Sequence, residues 1–383
     1  MAPRIVVLGG GVLGTSVAAH LARRGGSVTL LTEGDLGSGA SGRSLSWLNS
    51  SGPYSPEYHR LRLLGLQRYR EHPPVPWLRF DGALGWSDGA RSRFERLAAA
   101  GYPAEWLTRA EVAARVPGVS AAAVPDDGAL LTPAEGWVDL ASLVDELAAD
   151  VTAHGGRVGT GAGRCQVVAE AGRATGARTG SGEVVPADVV VLATGADVPR
   201  AAARLGLEIP DATAPALLVR TAPVRTGLRA VLNTPRVSLR PAPSGGLVVD
   251  AAWSERDVVT LADGGFEVLP ATVDGLLREA SAVLDGAPGL VTESYGVGPK
   301  PVPGDGEPVL GPLPGTAGCW VAFTHSGATL GLVVGELLAA EILDGAPNPL
   351  LGPFRPDRFG GVRRAFRDDC HPPDSAAPIV TDR

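Results

Sequence analysis

The sequence predicts an α/β fold: a Rossmann-like dinucleotide-binding domain assembled from discontinuous segments, joined to an α+β domain on antiparallel sheet. Three observations predict it. The first is the order strand, tight turn, helix, strand, acid in the opening stretch from Ile5 to Glu33. The second is an apolar run, Val189 to Leu192, that ends in Ala193-Thr194-Gly195 about 180 residues after the opening turn, as a buried parallel strand beneath a dinucleotide would. The third is a change of character between Pro215 and Thr292, where short alternating apolar runs sit between Pro and Gly turns.

In the opening stretch, Ile5-Val6-Val7-Leu8 leads into Gly9-Gly10-Gly11-Val12-Leu13-Gly14. Gly9 makes the turn, Gly11 lets backbone approach a pyrophosphate, and Gly14 lets helix and strand pack closely. The free N–H groups of the helix start would hold the diphosphate, and Glu33 would accept hydrogen bonds from a ribose diol. This stretch leaves NAD and FAD equally open.

Composition narrows the class. With 44% hydrophobic residues among 383, a substantial core is expected, and a net charge of −7 argues against a nucleic-acid binder. Cys165, Cys319 and Cys370 lie far apart, which suggests neither disulfides nor a zinc site, and no cluster has metal-ligand spacing. The first strand starts too early to leave room for a signal peptide, and the apolar stretch Leu330 to Leu343 contains Glu336 and Glu341. A cytoplasmic protein without a transmembrane segment is expected.

Along the chain, the small-residue loop from Gly37 to Asn49 offers N–H and hydroxyl donors, and Arg43 adds a fixed charge near a diphosphate. A helix is expected from Pro56 to Glu71, stopped by Pro73-Pro74. Further helices are expected over Ala90 to Ala100 and Arg109 to Arg115, with Ala83 to Trp86 a strand. The segment from Thr132 reads as the approach to another helix, Leu140 to Ala153, with Asp139 as N-cap. Strands are expected near Leu217 to Arg220, Val237 to Arg240 and Leu247 to Val249, then a helix from Thr272 to Leu284. The strand Cys319 to Phe323 leads through Thr324-His325-Ser326 into a helix to Leu343. The polar tail beyond Phe359 is expected to be unordered, and His371 in it incidental.

Four blocks together resemble the D-amino-acid oxidase-like flavoprotein family, the group of glycine oxidase, monomeric sarcosine oxidase and D-amino-acid dehydrogenase. They are the Gly9/Gly11/Gly14 unit with Glu33, the Ala40-Ser41-Gly42-Arg43 loop, the strand ending Thr194-Gly195, and the pair Pro301…Asp305-Gly306-Glu307-Pro308 plus Thr324 to Leu330. The resemblance implies FAD as cofactor. It divides the chain into an FAD-binding domain (1–76, 135–214 and 295–359), a substrate domain (77–134 and 215–294) and a tail (360–383). Cofactor-binding residues expected are Gly9, Gly11, Val12, Leu13, Gly14, Glu33, Ser41, Arg43, Ser44, Val167, Thr194, Gly195, Gly327, Ala328, Thr329 and Leu330. A helix starting near Gly327 would turn its N–H groups toward the negative charge that develops on a reduced flavin.

In relatives an arginine in the block of Gly298 to Pro301 binds a substrate carboxylate; here that position is Lys300, which keeps the charge without the bidentate fork. Arg240 is the other candidate carboxylate partner, and His325 a candidate proton acceptor. Residues 296 to 312 lack the cysteine that attaches flavin in monomeric sarcosine oxidase, so noncovalent FAD is expected. The lysine with which that oxidase activates oxygen is also missing, since Gly246-Leu247-Val248-Val249 is apolar. The expected activity is oxidation of a C–N bond of an amine or amino acid to an imine by hydride transfer to flavin N5, with O2 or another acceptor taking the electrons. The alternatives are a dehydrogenase passing electrons to a quinone or carrier, and a flavin-binding module without turnover.

Overall fold

The computed structural model describes residues 3–360. The tail from 361 to 383, with Cys370 and His371, lies outside the described residues.

The first strand is Arg4–Leu8, and Ile5, Val6, Val7 and Leu8 are each at most 1% exposed. A strand apolar at consecutive positions must be covered on both faces. It lies inside a six-stranded sheet, parallel to Val189–Leu192 on one side and Ser27–Leu31 on the other, with Ile5 opposite Val189 and Val28. Cys319–Phe323 continues the sheet in parallel, Val309–Pro312 closes that edge antiparallel, and Arg157–Gly159 closes the other.

The alternation of side chains assigns each face its own core. Ile5, Val7, Leu30 and Val191 pack under the helices Val12–Arg23, Leu140–Ala153 and Gly327–Asp344, with Pro56–Arg70 laid on the last of these. Val6, Leu8, Val190 and Val321 pack instead against Ala174, Ala177, Val198 and Ala202. These belong to a small antiparallel sheet, Gln166–Glu170, Arg173–Arg178 and Val184–Pro186, and to the short helix Val198–Ala203. Fully burying one Val, Leu or Ile contributes about 1.5–3 kcal/mol, so a charge placed at Val7 would break the layer.

Local chemistry fixes the helix ends. Ser55 caps Pro56–Arg70 by accepting from the Tyr58 N–H, Asp139 caps Leu140–Ala153 through the Ser142 N–H, and Thr108 with Glu111 forms a capping box on Arg109–Arg115. Gly345 ends the C-terminal helix at φ +69°, its N–H on Glu341 O.

The second sheet has eight strands in the order Thr292–Lys300, Ala214–Thr221, Leu247–Asp250, Ser238–Pro241, Val231–Asn233, Ala83–Gly85, Ala129–Thr132 and Glu105–Leu107. All neighbours are antiparallel except Val231–Asn233 beside Ala83–Gly85. Helix Pro270–Ala282 closes its core with Val273, Leu276 and Ala280.

Two placements differ from expectation. Residues 295–300, read with the cofactor-binding segments, pair in this second sheet, Lys300 opposite Ala214, because their Gly and Pro residues hide the alternation of a strand. Gly136–Val138, read as a helix approach, is a strand between Trp47–Leu48 and Leu78–Arg79. Just before it, fully buried Glu135 accepts hydrogen bonds from the Ser50 and Ser51 N–H groups, the Tyr102 hydroxyl and the Thr132 hydroxyl, at 2.8 to 3.1 Å. That carboxylate pins the segment after the small-residue loop to the second sheet.

Candidate active site

The three glycines of the opening turn have three separate reasons. Gly9 holds φ +117°, its N–H on Leu31 O at 2.8 Å, and a Cβ there would lie 2.2 Å from Ala193 O. At Gly14 a Cβ would lie 1.9 Å from Gly9 O, so that glycine sets how closely the helix approaches the turn. At Gly11 a Cβ would meet only Ser41 Oγ, at 3.1 Å. The protein fold therefore requires the first and third, while the second leaves space that faces a cavity.

The cavity, of about 730 Å³, is lined from both sheets, starting at Gly9 to Leu13 and reaching Ala216, Leu217 and Gly298 to Pro301. It brings together Gly9, Gly11, Val12, Leu13, Glu33, Ser41, Arg43, Ser44, Thr194, Gly195, Lys300, His325, Gly327, Ala328 and Thr329. Four expected residues do not line it. Gly14 sits beneath the turn, Leu330 is wholly in the core, and Val167 packs against the core below the first sheet.

The fourth is Arg240, and its expected contact with a substrate carboxylate does not match its place. It is fully buried, donating to Leu45 O at 2.5 Å, Pro241 O at 2.8 Å and Asp139 Oδ1 at 3.4 Å, with its guanidinium over the Trp137 ring. Burial pulls its pKa down to about 10, against the opposing charge of Asp139. Arg240 clamps the small-residue loop to the second sheet.

At the glycine end, Ser41 Oγ accepts the Val12 N–H at 3.0 Å, which ties the loop Ala40–Arg43 to the helix start. Arg43 donates to Ser38 O at 2.5 Å and lies against Gly296 and Gly298, where a Cβ would strike it. Its Nε is buried without a partner among the described residues, as is the hydroxyl of Thr194. Burial also lowers the Arg43 pKa from its ordinary value.

The far end is organised by the start of the helix Gly327–Asp344, whose first N–H groups have no intrahelical acceptor. Thr329 Oγ1 accepts the Asn49 N–H at 3.3 Å. Arg62, 2% exposed, reaches across from the helix Pro56–Arg70 to Asn49 O, Asn49 Oδ1 and Ser326 Oγ, and Tyr58 donates to the same Ser326 hydroxyl at 2.6 Å. This network holds the turn before the helix. His325 lines the cavity, where its ring keeps part of its surface open and makes no hydrogen bond among the described residues; partial loss of hydration, with the charges of Lys300 and Arg62, lowers its pKa from the ordinary value. It is therefore neutral at pH 7, an acceptor at one ring nitrogen.

Lys300 donates to Glu255 Oε1 at 2.6 Å, and Asp250 lines the cavity beside them. Asp250, Glu255 and Arg62 were missed by the sequence reading. The available signals were an acid closing the apolar run Leu247 to Val249, and an arginine one helical turn from Tyr58. Cys319 is fully buried in its strand, while Cys165 lines the cavity near Glu33.

The profile of the family described as "DAO: FAD dependent oxidoreductase" matches residues 4–341. A D-amino acid dehydrogenase of Cereibacter sphaeroides is 30% identical over 294 residues, which are 73% of this chain and 64% of that protein. The chain thus spans just under two thirds of the length of that relative. A glycine oxidase of Pseudomonas putida is 26% identical over 382 residues, 92% of this chain and 97% of that one. Among solved structures, glycine oxidase from Geobacillus kaustophilus superposes with a TM-score of 0.77 at 23% identity, covering 94% of this chain and 100% of that one. L-amino acid deaminase from Proteus myxofaciens gives 0.80 at 19% identity, covering 94% of each. At these identities the two structures speak to the fold.

Proposed function

The chain belongs to the family of FAD-dependent oxidoreductases matched over residues 4–341, and on that premise we propose that it oxidises the C–N bond of an amine or amino acid to an imine, with FAD held noncovalently. The observation that carries this reading is that the start of the helix Gly327–Asp344 opens onto the same cavity as the glycine turn. One cavity thus offers two helix starts, one for a diphosphate and one for charge that develops during reduction.

The residues present fit FAD. Arg43 Nε and the Thr194 hydroxyl are buried donors with no acceptor among the described residues, and both residues line the cavity, where a ligand can supply one. Gly11 leaves open the space that a diphosphate needs, and Glu33 is exposed to the cavity, where its carboxylate is free to accept from a ribose diol. Bound FAD supplies the acceptor for a hydride from the carbon next to nitrogen. The chain contributes position and electrostatics: Arg62, Tyr58 and Ser326 hold the turn before the helix, and neutral His325 offers a ring nitrogen that accepts a hydrogen bond from an amine arriving over it, which positions the amine without taking its proton.

Anaerobic mixing of the holoenzyme with amines, amino acids of both hands, N-methyl and cyclic imino acids tests the reading. Bleaching of the flavin band by at least one of them is expected; a flavin untouched by the whole panel overturns it in favour of a binding module. A second reading, a dehydrogenase that passes electrons to a carrier, is favoured by the buried apolar strand Leu247 to Val249, which brings no lysine to the cavity. Reoxidation of the reduced enzyme by air within seconds would refute that second reading.

A further inference from the structure

The cavity wall beside the C-terminal helix carries two carboxylates and one ammonium. Asp250 ends the strand Leu247–Asp250, Glu255 ends the short helix Ala252–Glu255, and Lys300 ends the strand Thr292–Lys300; all three line the cavity. Lys300 is the sole lysine in the sequence, and its Nζ is already paired with Glu255 at 2.6 Å. Asp250 is left over. Its carboxylate accepts no hydrogen bond from any described residue, and it is held close to Glu255 with Lys300 and Arg240 in the surroundings.

Two of the other cations near this wall, Arg62 and Arg240, are occupied, and Arg43 is directed to the cofactor end of the cavity. All the N–H groups of Arg62 point at Asn49, Ser326, Tyr58 and Thr329. Arg240 is closed in with Leu45, Pro241 and Asp139. Arg43 turns toward Ser38, in the loop that reaches the glycine turn. A substrate carboxylate would therefore meet a lysine that is already neutralised, next to an acid that is not. An enclosed charge needs an opposite charge, and here the missing one is positive. The nitrogen undergoing oxidation cannot supply it, because that nitrogen must lose its proton before a hydride can leave the adjacent carbon.

We propose that the substrate is an amine of the diamine type, without a free carboxylate, whose second, protonated nitrogen sits on Asp250 with Glu255 beside it. This rests on the C–N oxidation reading above and adds its substrate class. Enclosure and the neighbouring Glu255 raise Asp250 to about 7, while the charges of Lys300 and Arg240 oppose the rise. Binding a cation then draws the proton from Asp250, so affinity increases as pH rises from 6 toward 7.

Anaerobic calorimetric titration of the holoenzyme, its flavin already reduced with dithionite, with 1,4-diaminobutane, butylamine and butyrate tests this without turnover. The diamine is expected to bind at least tenfold more tightly than butylamine, and butyrate most weakly. Asp250→Asn is expected to weaken the diamine at least tenfold, to change butylamine less than threefold, and to remove the gain between pH 6 and 7. Tightest binding by butyrate, or a diamine no tighter than butylamine, overturns the proposal, and this ranking needs only the unmodified protein should the variant not fold. The two readings fail separately: if the ranking holds while no amine bleaches the flavin, oxidation is wrong, and if amino acids bleach the flavin while butyrate binds best, the diamine assignment is wrong.

Discussion

Replacing Gly11 by alanine separates cofactor binding from folding, because the geometry of the opening turn gives its three glycines different consequences. A Cβ at Gly11 meets only the movable Ser41 hydroxyl, at 3.1 Å. Gly11 is also the N-cap of the helix Val12–Arg23, where alanine costs about 1 kcal/mol. In Gly14→Ala the Cβ falls 1.9 Å from Gly9 O, which forces the helix off the strand layer at a cost of about 3 kcal/mol or more. Toward FAD the order reverses in meaning. The Gly11 Cβ occupies the side on which a diphosphate would lie, and losing two charge-assisted N–H contacts costs roughly 3–6 kcal/mol, a 10²–10⁴-fold weaker complex. Thermal melting of the flavin-free proteins by circular dichroism, with fluorescence titration by FAD, measures both quantities. Gly11→Ala should melt within a few degrees of the parent and fail to hold FAD, whereas Gly14→Ala should melt far lower. Unchanged FAD affinity in Gly11→Ala would refute the placement of the diphosphate; a melt as low as that of Gly14→Ala would make Gly11 a folding residue.

Thr194→Val removes a buried hydroxyl without a partner, so the flavin-free protein should gain about 1 kcal/mol while FAD binding weakens, and a loss of stability in urea melts would contradict this. Glu341→Gln breaks a buried pair in which Arg355 Nη1 lies 2.9 Å from the carboxylate, with an expected loss of about 3–5 kcal/mol in the same melts; an unchanged midpoint would contradict it. Burial, and then the Arg23 charge, pulls His20 to about 4 from 6.5 in the unfolded chain. Its contribution is therefore complete above pH 6.5 and is lost as pH falls toward 4, and His20→Gln should flatten that limb of the stability profile. A limb of equal steepness in the variant would assign it to other groups.

The centre of the first sheet was legible because Ile5 to Leu8 and Val189 to Leu192 are unbroken apolar runs, as a parallel strand covered on both faces requires. What covered its second face was not. Gln166–Glu170 and Arg173–Arg178 expose many of their residues, so their alternation carries no strong apolar signal. The helices could be read from their ends, as the Asp139 cap and the Pro73-Pro74 stop show, since such signals are local chemistry. Site residues divided along the same line. The glycine turn is a local motif and could be read; Asp250, Glu255 and Lys300 meet from three segments, and nothing in any one segment states the encounter. Arg240 shows the converse error. A lone arginine on a strand suggests an anion, and only packing reveals that carbonyl oxygens and Asp139 already surround it.

The position of Arg4–Leu8 inside its sheet has a consequence for biosynthesis. One edge of that strand waits for Val189–Leu192, and the helix that follows it waits for Gly327–Asp344. At translation rates of roughly 5–20 residues per second, that cover arrives about 15–70 s after the strand itself. An apolar strand edge is thus exposed on the nascent chain for about half of synthesis, and the helix beside it lacks its cover for longer, a hazard for aggregation that slower growth temperatures or chaperones would relieve. A flavin held as proposed above would not shorten the wait, since the two helix starts assigned to it are made at opposite ends of the described chain.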